Sequence, residues 1–334
     1  MNSFKNAVQA YASRNSNRDG VAFAPVPGLV MKYAEAPGKD LHAVSRPMFI
    51  LVLQGAKRLI VGNEERVFSS GRSLIVSADM PLVSRVLQAS SHEPYLAFGV
   101  ELEMALLREL AVQLGDGRTQ RSPSRRTLFE LDIEIAAVDC AMRLMRLIDT
   151  PEAAPLLRPA IMQELHYWLL SGQHGGDLRA LADPDSHASR LEAAVAILRT
   201  EYRQRISIEQ LAIAAGMSLT AFHKHFKLMT SLTPGQYHKR LRLIEARRLM
   251  REEGFLASAA AFDVGYESVS QFTREYGRLF QAPPKRDALR VRSESYNLSE
   301  QANETVPNGI AALKGCTVPP KAGAPSSKAK EGPR

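Results

Sequence analysis

The sequence has few cysteines and no long apolar run. Its 334 residues include 2 cysteines, Cys140 and Cys316, too few for a disulfide framework or a four-cysteine zinc site. Apolar runs such as Met48–Leu53 are much shorter than the roughly 18 residues of a membrane span. Met1–Tyr11 has no apolar core of signal-peptide length. We therefore expect a soluble protein of a reducing compartment, with roughly two or three domains.

Motifs of common enzyme classes are also missing. The chain has no Walker loop, no G-x-S-x-G and no H-E-x-x-H. His223 and His225 form a close pair, but they are two residues apart on a predicted helix and point in different directions. The sequence therefore predicts no catalytic residue, no metal site and no cofactor.

Positive charge is concentrated in one segment. Arg190–Arg292 contains 18 Lys/Arg and 10 Asp/Glu, a net charge of +8, which equals the net charge of the whole chain. Residues 1–189 have a net charge of −1, and residues 293–334 have +1. A compact basic segment beside a neutral one indicates a polyanion-binding module joined to another domain. An ordinary basic surface would have the same composition.

The N-terminal half begins with a strand pattern. Met48–Gln54 is apolar enough to be a buried strand, and Lys57–Val61 and Arg66–Ser69 flank a glycine-containing turn. In Tyr95–Leu102 large apolar residues alternate along the segment. Short strands with closely spaced turns are typical of an antiparallel sandwich or barrel.

After residue 102 the apolar period becomes helical. The Leu, Ile and Met stripes predict a helix–helix core, within the chain or across a dimer. Three helices are predicted: Glu103–Leu114, Leu128–Ile148 and Pro155–Leu170, the first two separated by a polar loop over Gly115–Arg126. Ser171–Ser189 is rich in Gly, Asp, Pro and His and predicts a linker. Ser293–Arg334 has few large apolar residues and predicts a disordered tail.

Residues 207–229 predict a helix-turn-helix. A capping box that starts at Ser207 begins a short helix, and Gly216-Met217-Ser218 supplies a turn and a second N-cap before the helix Leu219–Met229. One face of the second helix is apolar and predicts a buried core, with Phe222 and Phe226. The opposite face is polar and consists of Thr220, His223, Lys224 and Lys227.

The same pattern recurs about fifty residues later, over 257–278. Gly265 supplies the turn, Ser268 with Gln271 predicts a second capping box, and Phe272 and Tyr276 match the apolar pair of the first copy. The polar face has Ser270, Thr273 and Arg274, with Gly277 in the position of Lys227. Polar faces of this kind suit base edges and phosphates.

Pro234–Glu252 predicts one long helix between the two copies. Thr233 is its N-cap and Pro234 occupies the first helical position. A helix of about 18 residues is roughly 27 Å long. It could hold two recognition helices in successive major grooves, about 34 Å apart. Two matched copies, a rigid spacer and the local positive charge predict a DNA-binding domain.

Residues 190–291 resemble the DNA-binding domain of AraC-type (AraC/XylS) transcription regulators. The runs that carry the resemblance are Ile208–Lys227, Thr233-Pro234 with Arg240-Leu241 and Ala246-Arg247, Ala261–Arg274 and Pro283-Pro284. Residues 48–102 resemble the cupin-like N-terminal domain of one branch of that family, through Leu53–Arg58, Ala89-Ser90 and Pro94-Tyr95. The two resemblances span most of residues 20–290.

The resemblance implies an α+β chain. Its N-terminal part would be an antiparallel β cupin-like barrel plus helices, and its C-terminal part an all-α domain of two helix-turn-helix motifs joined by a long helix. The implied order is an arm (1–19), a sensing and dimerisation domain (20–172), a linker (173–189), a DNA-binding domain (190–291) and a disordered tail (292–334).

The resemblance also implies a function, that of a sequence-specific DNA-binding transcription regulator that responds to an effector. The base- or phosphate-facing residues would be those of the two polar faces. The implied partners are double-stranded DNA, a second copy in a homodimer, a small-molecule effector inside the barrel and RNA polymerase, with no membrane. The implied location is the bacterial cytoplasm, at the nucleoid when bound. An activator is expected, but the sequence does not distinguish activation from repression. The sequence does not identify effector-binding residues.

One alternative is a cupin-type metal enzyme fused to a nucleic-acid-binding domain. Such a site needs several histidines and a carboxylate that converge on an ion, and the barrel segment offers only His42 and His92. RNA binding is a second alternative, although no aromatic strand pattern of an RNA-recognition fold is visible.

Overall fold

The computed structural model describes residues 2–62, 64–115, 128–132, 134–183 and 186–289. The tail predicted over 292–334 and almost all of the loop predicted over 115–126 lie outside these residues. Residues up to Ala288 belong to one packed unit.

The N-terminal part contains two antiparallel sheets that face each other. Within the described residues, the six-stranded sheet has the order β1-β2-β9-β4-β7-β10 and the four-stranded sheet has the order β3-β8-β5-β6. The strands are β1 (Val21–Phe23), β2 (Leu29–Ala34), β3 (Leu41–Ser45), β4 (Met48–Gln54), β5 (Ala56–Val61), β6 (Glu64–Ser69), β7 (Arg72–Val76), β8 (Met80–Gln88), β9 (Tyr95–Glu101) and β10 (Leu128–Asp132). This arrangement confirms the predicted antiparallel fold class.

Strand β4 lies at the centre of the six-stranded sheet and is covered on both faces. Phe49 and Leu51 pack against helices on the outer face, whereas Val52 and Ile50 contact the four-stranded sheet across the inner core. Successive side chains of a strand point to opposite faces. A strand buried on both faces is therefore continuously apolar, as the sequence of β4 is.

In the part of the chain that the structure describes, five helices cover the outer face of the six-stranded sheet. They are α1 (Asn2–Asn15), α2 (Met104–Leu114), α3 (Ile135–Arg146), α4 (Ala154–Ser171) and α5 (Gly175–Ala182). The segment predicted as an N-terminal arm is thus mainly helix α1. It buries Phe4, Val8 and Ala12 in the core of this domain.

Two further sequence predictions need correction. The helix predicted over 128–148 is instead strand β10 followed by α3, because Leu128–Asp132 pairs along its whole length with β7. The linker predicted over 173–189 contains α5, whose Leu178 and Ala182 lie in the same core as α4. That segment is folded because its apolar residues recur at helical spacing and find a core to pack against.

The C-terminal part is entirely helical within the described residues. Its helices are α6 (His187–Thr200), α7 (Ile208–Ala214), α8 (Leu219–Thr230), α9 (Pro234–Glu252), α10 (Ala257–Asp263) and α11 (Val269–Phe280). The capping boxes predicted at Ser207 and Thr233 are both present. Helix α6 begins before residue 190, where the sequence placed the domain boundary, because Ser186 caps it by accepting from the Ser189 amide.

Candidate nucleic-acid interface

Helices α7 and α8 form the first helix-turn-helix. The turn between them passes through Gly216, whose φ of 59° is left-handed and favours glycine. Ser218 then caps α8 by accepting from the Ala221 amide. Phe222 and Phe226 are fully buried, with ring centroids 5.4 Å apart. This anchored apolar face fixes the rotation of α8 about its axis.

The opposite face of α8 points away from the protein. Thr220, His223, Lys224 and Lys227 are all exposed, as the sequence predicted. None of the described residues forms an ion pair with either lysine. The two ammoniums are therefore free to contact an external anion.

Helices α10 and α11 repeat this arrangement. Phe272 and Tyr276 are fully buried, and on the opposite face Ser270, Thr273 and Arg274 are exposed. Ser268 caps α11 as predicted, by accepting from the Gln271 amide. The predicted reciprocal bond from the Ser268 amide to the Gln271 side chain does not form among the described residues, and the Gln271 side chain instead donates to Glu275.

An exposed cation on α11 was missed by the sequence comparison of the two copies. Arg278 follows Gly277 and is exposed. It lies four residues after Arg274, so both arginines share one side of the helix. The second polar face thus has a further guanidinium near the place where the first has Lys227.

Helix α9 joins the two motifs by packing into both cores. Its first half contributes Tyr237 and Leu241 to the core of the first motif. Its second half contributes Leu243, Ala246 and Leu249 to the core of the second. The 19 residues of α9 form a continuous helix, so the two recognition helices are held by one rigid element.

Two half-buried arginines, Arg190 and Arg242, brace the turns, and sequence reasoning did not find them. Arg190 of α6 donates to the main-chain oxygens of Ala215 and Gly216 in the first turn. Arg242 of α9 donates to the oxygen of Gly265 in the second turn. Arg242 also donates to the main-chain oxygen of Tyr202 at 2.6 Å. Burial lowers the pKa of the Arg242 guanidinium. A guanidinium that binds distant carbonyls leaves no local sequence pattern.

The helical domain contacts the sheet domain away from its polar faces. Arg199 of α6 pairs with Asp79 at 2.8 Å, and the Tyr237 hydroxyl donates to the main-chain oxygen of Asp79. Arg251 of α9 pairs with Asp19 at 3.0 Å. Within the described residues, no bond or ring contact joins the seven predicted DNA-facing residues to the sheet domain.

The metal-enzyme alternative depended on His42 and His92, which lie on different elements of the sheet domain. His42 lies against the Phe280 ring of α11, with centroids 5.0 Å apart. Burial beside Arg247 lowers its pKa to about 4. His92 lies in the loop between β8 and β9. The described residues contain no group of three or more potential metal ligands.

Comparison with known protein families agrees with this architecture. Residues 25–177 match a family model described as the AraC-type transcriptional regulator N-terminus, and residues 211–288 match one described as a helix-turn-helix domain. Together the two matches cover about two thirds of the chain. The chain belongs to the AraC-type transcriptional regulators. This family consists of regulators, not enzymes.

Curated relatives of this AraC-type chain match only part of it. It is 32% identical over 106 residues to the HTH-type transcriptional activator RhaS of Klebsiella pneumoniae (strain 342), which covers 30% of this chain and 38% of RhaS. RhaS of Escherichia fergusonii is 32% identical over 97 residues, or 29% of this chain and 35% of RhaS. The chain therefore spans little more than a third of these relatives.

Solved structures share the fold over a longer range. An apo variant of ToxT from Vibrio cholerae strain SCE256 has a TM-score of 0.54 at 9% identity, covering 83% of this chain and 99% of ToxT. Wild-type ToxT bound to an unsaturated fatty acid has a TM-score of 0.50 at 9% identity, covering 78% and 95%. At these identities the likeness concerns the fold alone. In the part of the chain that the structure describes, no helix is long and apolar enough to cross a membrane.

Proposed function

We propose that this AraC-type chain regulates transcription by binding double-stranded DNA through α8 and α11. The observation that carries the proposal is the pair of exposed polar faces, each opposite a buried aromatic pair. The base- or phosphate-facing residues are Thr220, His223, Lys224, Lys227, Ser270, Thr273 and Arg274, with Arg278 added from the structure. Because α9 connects the two motifs rigidly, both helices enter successive major grooves on one side of the duplex.

The spacing of the binding site tests this proposal. The target is first selected from random duplexes, and 5 base pairs are then inserted between its two halves. That insertion rotates one half by about half a turn, onto the opposite face of the DNA. We expect the affinity to fall at least about tenfold, because only one helix can then bind. Inserting the same 5 base pairs outside the two halves controls for length. Equal affinity for the original and the 5-base-pair insertion would contradict insertion of both helices.

We also propose that the sheet domain, residues 20–183, carries the homodimer contact on α3 and α4. Apolar side chains on these helices are exposed, with Leu156 80% and Ile135 85% accessible. Exposed large apolar side chains of this kind favour association. Sedimentation of the full chain with Leu156→Asp is the test, with the equally exposed apolar Ile213 of α7 replaced by Asp as the control. We expect only Leu156→Asp to dissociate the dimer.

Effector binding is the third part of the proposal. The sheet domain encloses an inner core between its two sheets, and ToxT, which shares the fold, has been solved with a bound unsaturated fatty acid. Both points support a small-molecule site in this domain that modulates DNA binding. RhaS is an activator, which supports activation and a contact with RNA polymerase as further predictions.

A further inference from the structure

The imidazole rings of His187 and His225 lie against each other. Their centroids are 3.6 Å apart and the ring planes are inclined by 31°. His187 is the first residue of α6, directly after the capping Ser186, and His225 lies midway along the recognition helix α8. The pair therefore joins the start of α6 to one side of α8.

This side of α8 is not the polar face proposed to bind DNA. His223 belongs to that face and precedes His225 by two residues, which is a rotation of about 200° around a helix. His223 is exposed, whereas His225 is half-buried against the exposed His187. A proton can thus reach the pair from solvent without passing through the surface proposed to contact DNA.

The described charges that act on His225 are all positive. Burial lowers the pKa of His225. The charge of His187, followed by those of Lys224 and Arg190, lowers that pKa further. Helices α7 and α9 also pack against α8, and no described group on them acts on His225. Neither imidazole forms a hydrogen bond or ion pair with a described residue, so a proton on the pair has no anionic partner among them.

Arg190 connects the histidine pair to the turn of the first motif. Its guanidinium donates to the main-chain oxygens of Ala215 and Gly216, shortly before α8 begins. Arg190 follows His187 by three residues, so both side chains lie on the same side of α6. A displacement of His187 from α8 therefore also moves the arginine that braces the turn. The orientation of α8 depends on both contacts.

Protonation works against this contact. An imidazole whose pKa is lowered by its surroundings binds fewer protons when packed than when released to water. The contact between α6 and α8 is therefore strongest above the ordinary histidine pKa of 6.5 and weakens as the pH falls below that value. Two protonated rings at this distance also repel each other.

The surroundings of the pair do not suit a bridging metal ion. Stacked rings direct their in-plane lone pairs alongside each other, whereas the ligands of a metal ion converge on one point. Arg190 and Lys224 would also repel a divalent cation. The geometry and the charges therefore favour a response to protons.

We propose that His187 and His225 form a proton-sensitive contact that weakens DNA binding by α8 in mildly acidic solution. The proposal rests on the DNA-binding function proposed above and concerns its regulation. His223 has the opposite effect, because a proton on the polar face adds a cation beside the phosphates. The two histidines of α8 therefore change the affinity for DNA in opposite directions as the pH falls.

DNA binding by the full chain at two pH values tests this proposal. The Kd for the selected duplex is measured at about pH 7.5 and about pH 5.5, on either side of the ordinary histidine pKa, at constant ionic strength. The variants are His225→Gln and, as the matched control on the same helix, His223→Gln. We expect His225→Gln to lower the ratio of Kd at acidic pH to Kd at neutral pH about threefold, the size expected for half-exposed charges. His223→Gln should raise that ratio.

A second variant decides the test if His225→Gln unfolds. His187 is exposed, and His187→Gln should lower the ratio as much as His225→Gln does. The double variant should lower it no further than either single variant, because the loss of one ring already ends the contact. A ratio equal to that of the wild type in His187→Gln, a rise in the ratio, or fully additive effects would overturn the proposal. Failure of the wild type to bind the duplex at neutral pH would instead contradict the proposed function.

Discussion

Ser231 and Gln281 adopt the same left-handed backbone conformation, with φ of 57° and 53°, directly after the recognition helices α8 and α11. Among the described residues these are the non-glycine positions with positive φ. The repeat therefore extends to the way in which each recognition helix ends. Glycine is the usual residue at such a helix end, because a Cβ atom is strained there.

Replacing Ser231 with glycine should stabilise the protein. The free energy gained by removing the left-handed strain is larger than the cost of the entropy that glycine adds to the unfolded chain. The free energy of unfolding should therefore rise by about 0.5–1 kcal/mol. Urea unfolding measures the change. Ser231→Ala is the control, since it retains Cβ and should give no gain. A loss of stability in Ser231→Gly would show that its side chain contributes more than the backbone strain costs.

The turn between β5 and β6 should be sensitive to a single added methyl group. A Cβ atom at Gly62 would lie 2.0 Å from the Cβ atom of Ser231, whereas one at Gly71 would meet nothing within 4 Å. Both glycines have positive φ, so Gly71→Ala controls for backbone strain. We expect Gly62→Ala to cost about 1–2 kcal/mol more than Gly71→Ala in urea unfolding.

The double variant of Gly62→Ala with Ser231→Gly identifies the cause. It should recover most of the excess cost, because the clashing Cβ is gone. If the two substitutions were simply additive, the turn would not contact the end of α8.

The half-buried Lys57 of β5 should make stability depend on pH. Its pKa is about 7 in the folded protein and about 10.5 when unfolded, so between these values the unfolded chain binds more protons and stability rises with pH. From pH 7 to 9 the free energy of unfolding should rise about 1–2 kcal/mol more in wild type than in Lys57→Met. Lys32 titrates in the same range and remains in both proteins. Parallel pH profiles would contradict burial of the Lys57 ammonium.

Gly277 offers a test of the second polar face. Nothing lies within 4 Å of a Cβ atom added there. Gly277→Ala should stabilise α11 by about 1 kcal/mol and leave DNA binding unchanged. Gly277→Lys should in addition tighten binding and steepen the salt dependence by about one unit, through a new phosphate contact. Equal DNA affinity for the Ala and Lys variants at low salt would mean that this face does not approach the duplex.

The sequence correctly predicted the structural elements that depend on interactions between residues close together in the chain. The capping boxes at Ser207 and Thr233 and the aromatic pairs of α8 and α11 each involve residues within one or two helical turns, and they were found. Leu128–Asp132 was predicted wrongly, because its strand form depends on pairing with β7, more than fifty residues earlier in the chain. Composition alone cannot distinguish such a strand from the start of a helix.

The exposed residues of the candidate site could be predicted from the sequence. The arginines that brace its turns could not. A polar face opposite an aromatic pair follows from helical periodicity, and so the seven exposed residues of the two polar faces could be named in advance. Arg190 and Arg242 act on carbonyls more than twenty residues away. The alternation of Lys57 with Leu59 and Val61 was visible in the sequence. How far the Lys57 ammonium is shielded from water depends on the facing sheet, which the sequence does not show.

The central claim is that α8 and α11 recognise DNA through their polar faces, and Lys224 with Lys227 tests it most directly. Affinity is measured for Lys224→Ala and Lys227→Ala on the selected target and on scrambled DNA, over a range of salt. Lys224→Ala should lose about 1–3 kcal/mol on the target and relax preference at one or two base pairs. Lys227→Ala should weaken both DNAs alike and lower the salt slope by about one. Equal losses on target and scrambled DNA for Lys224→Ala would contradict the account.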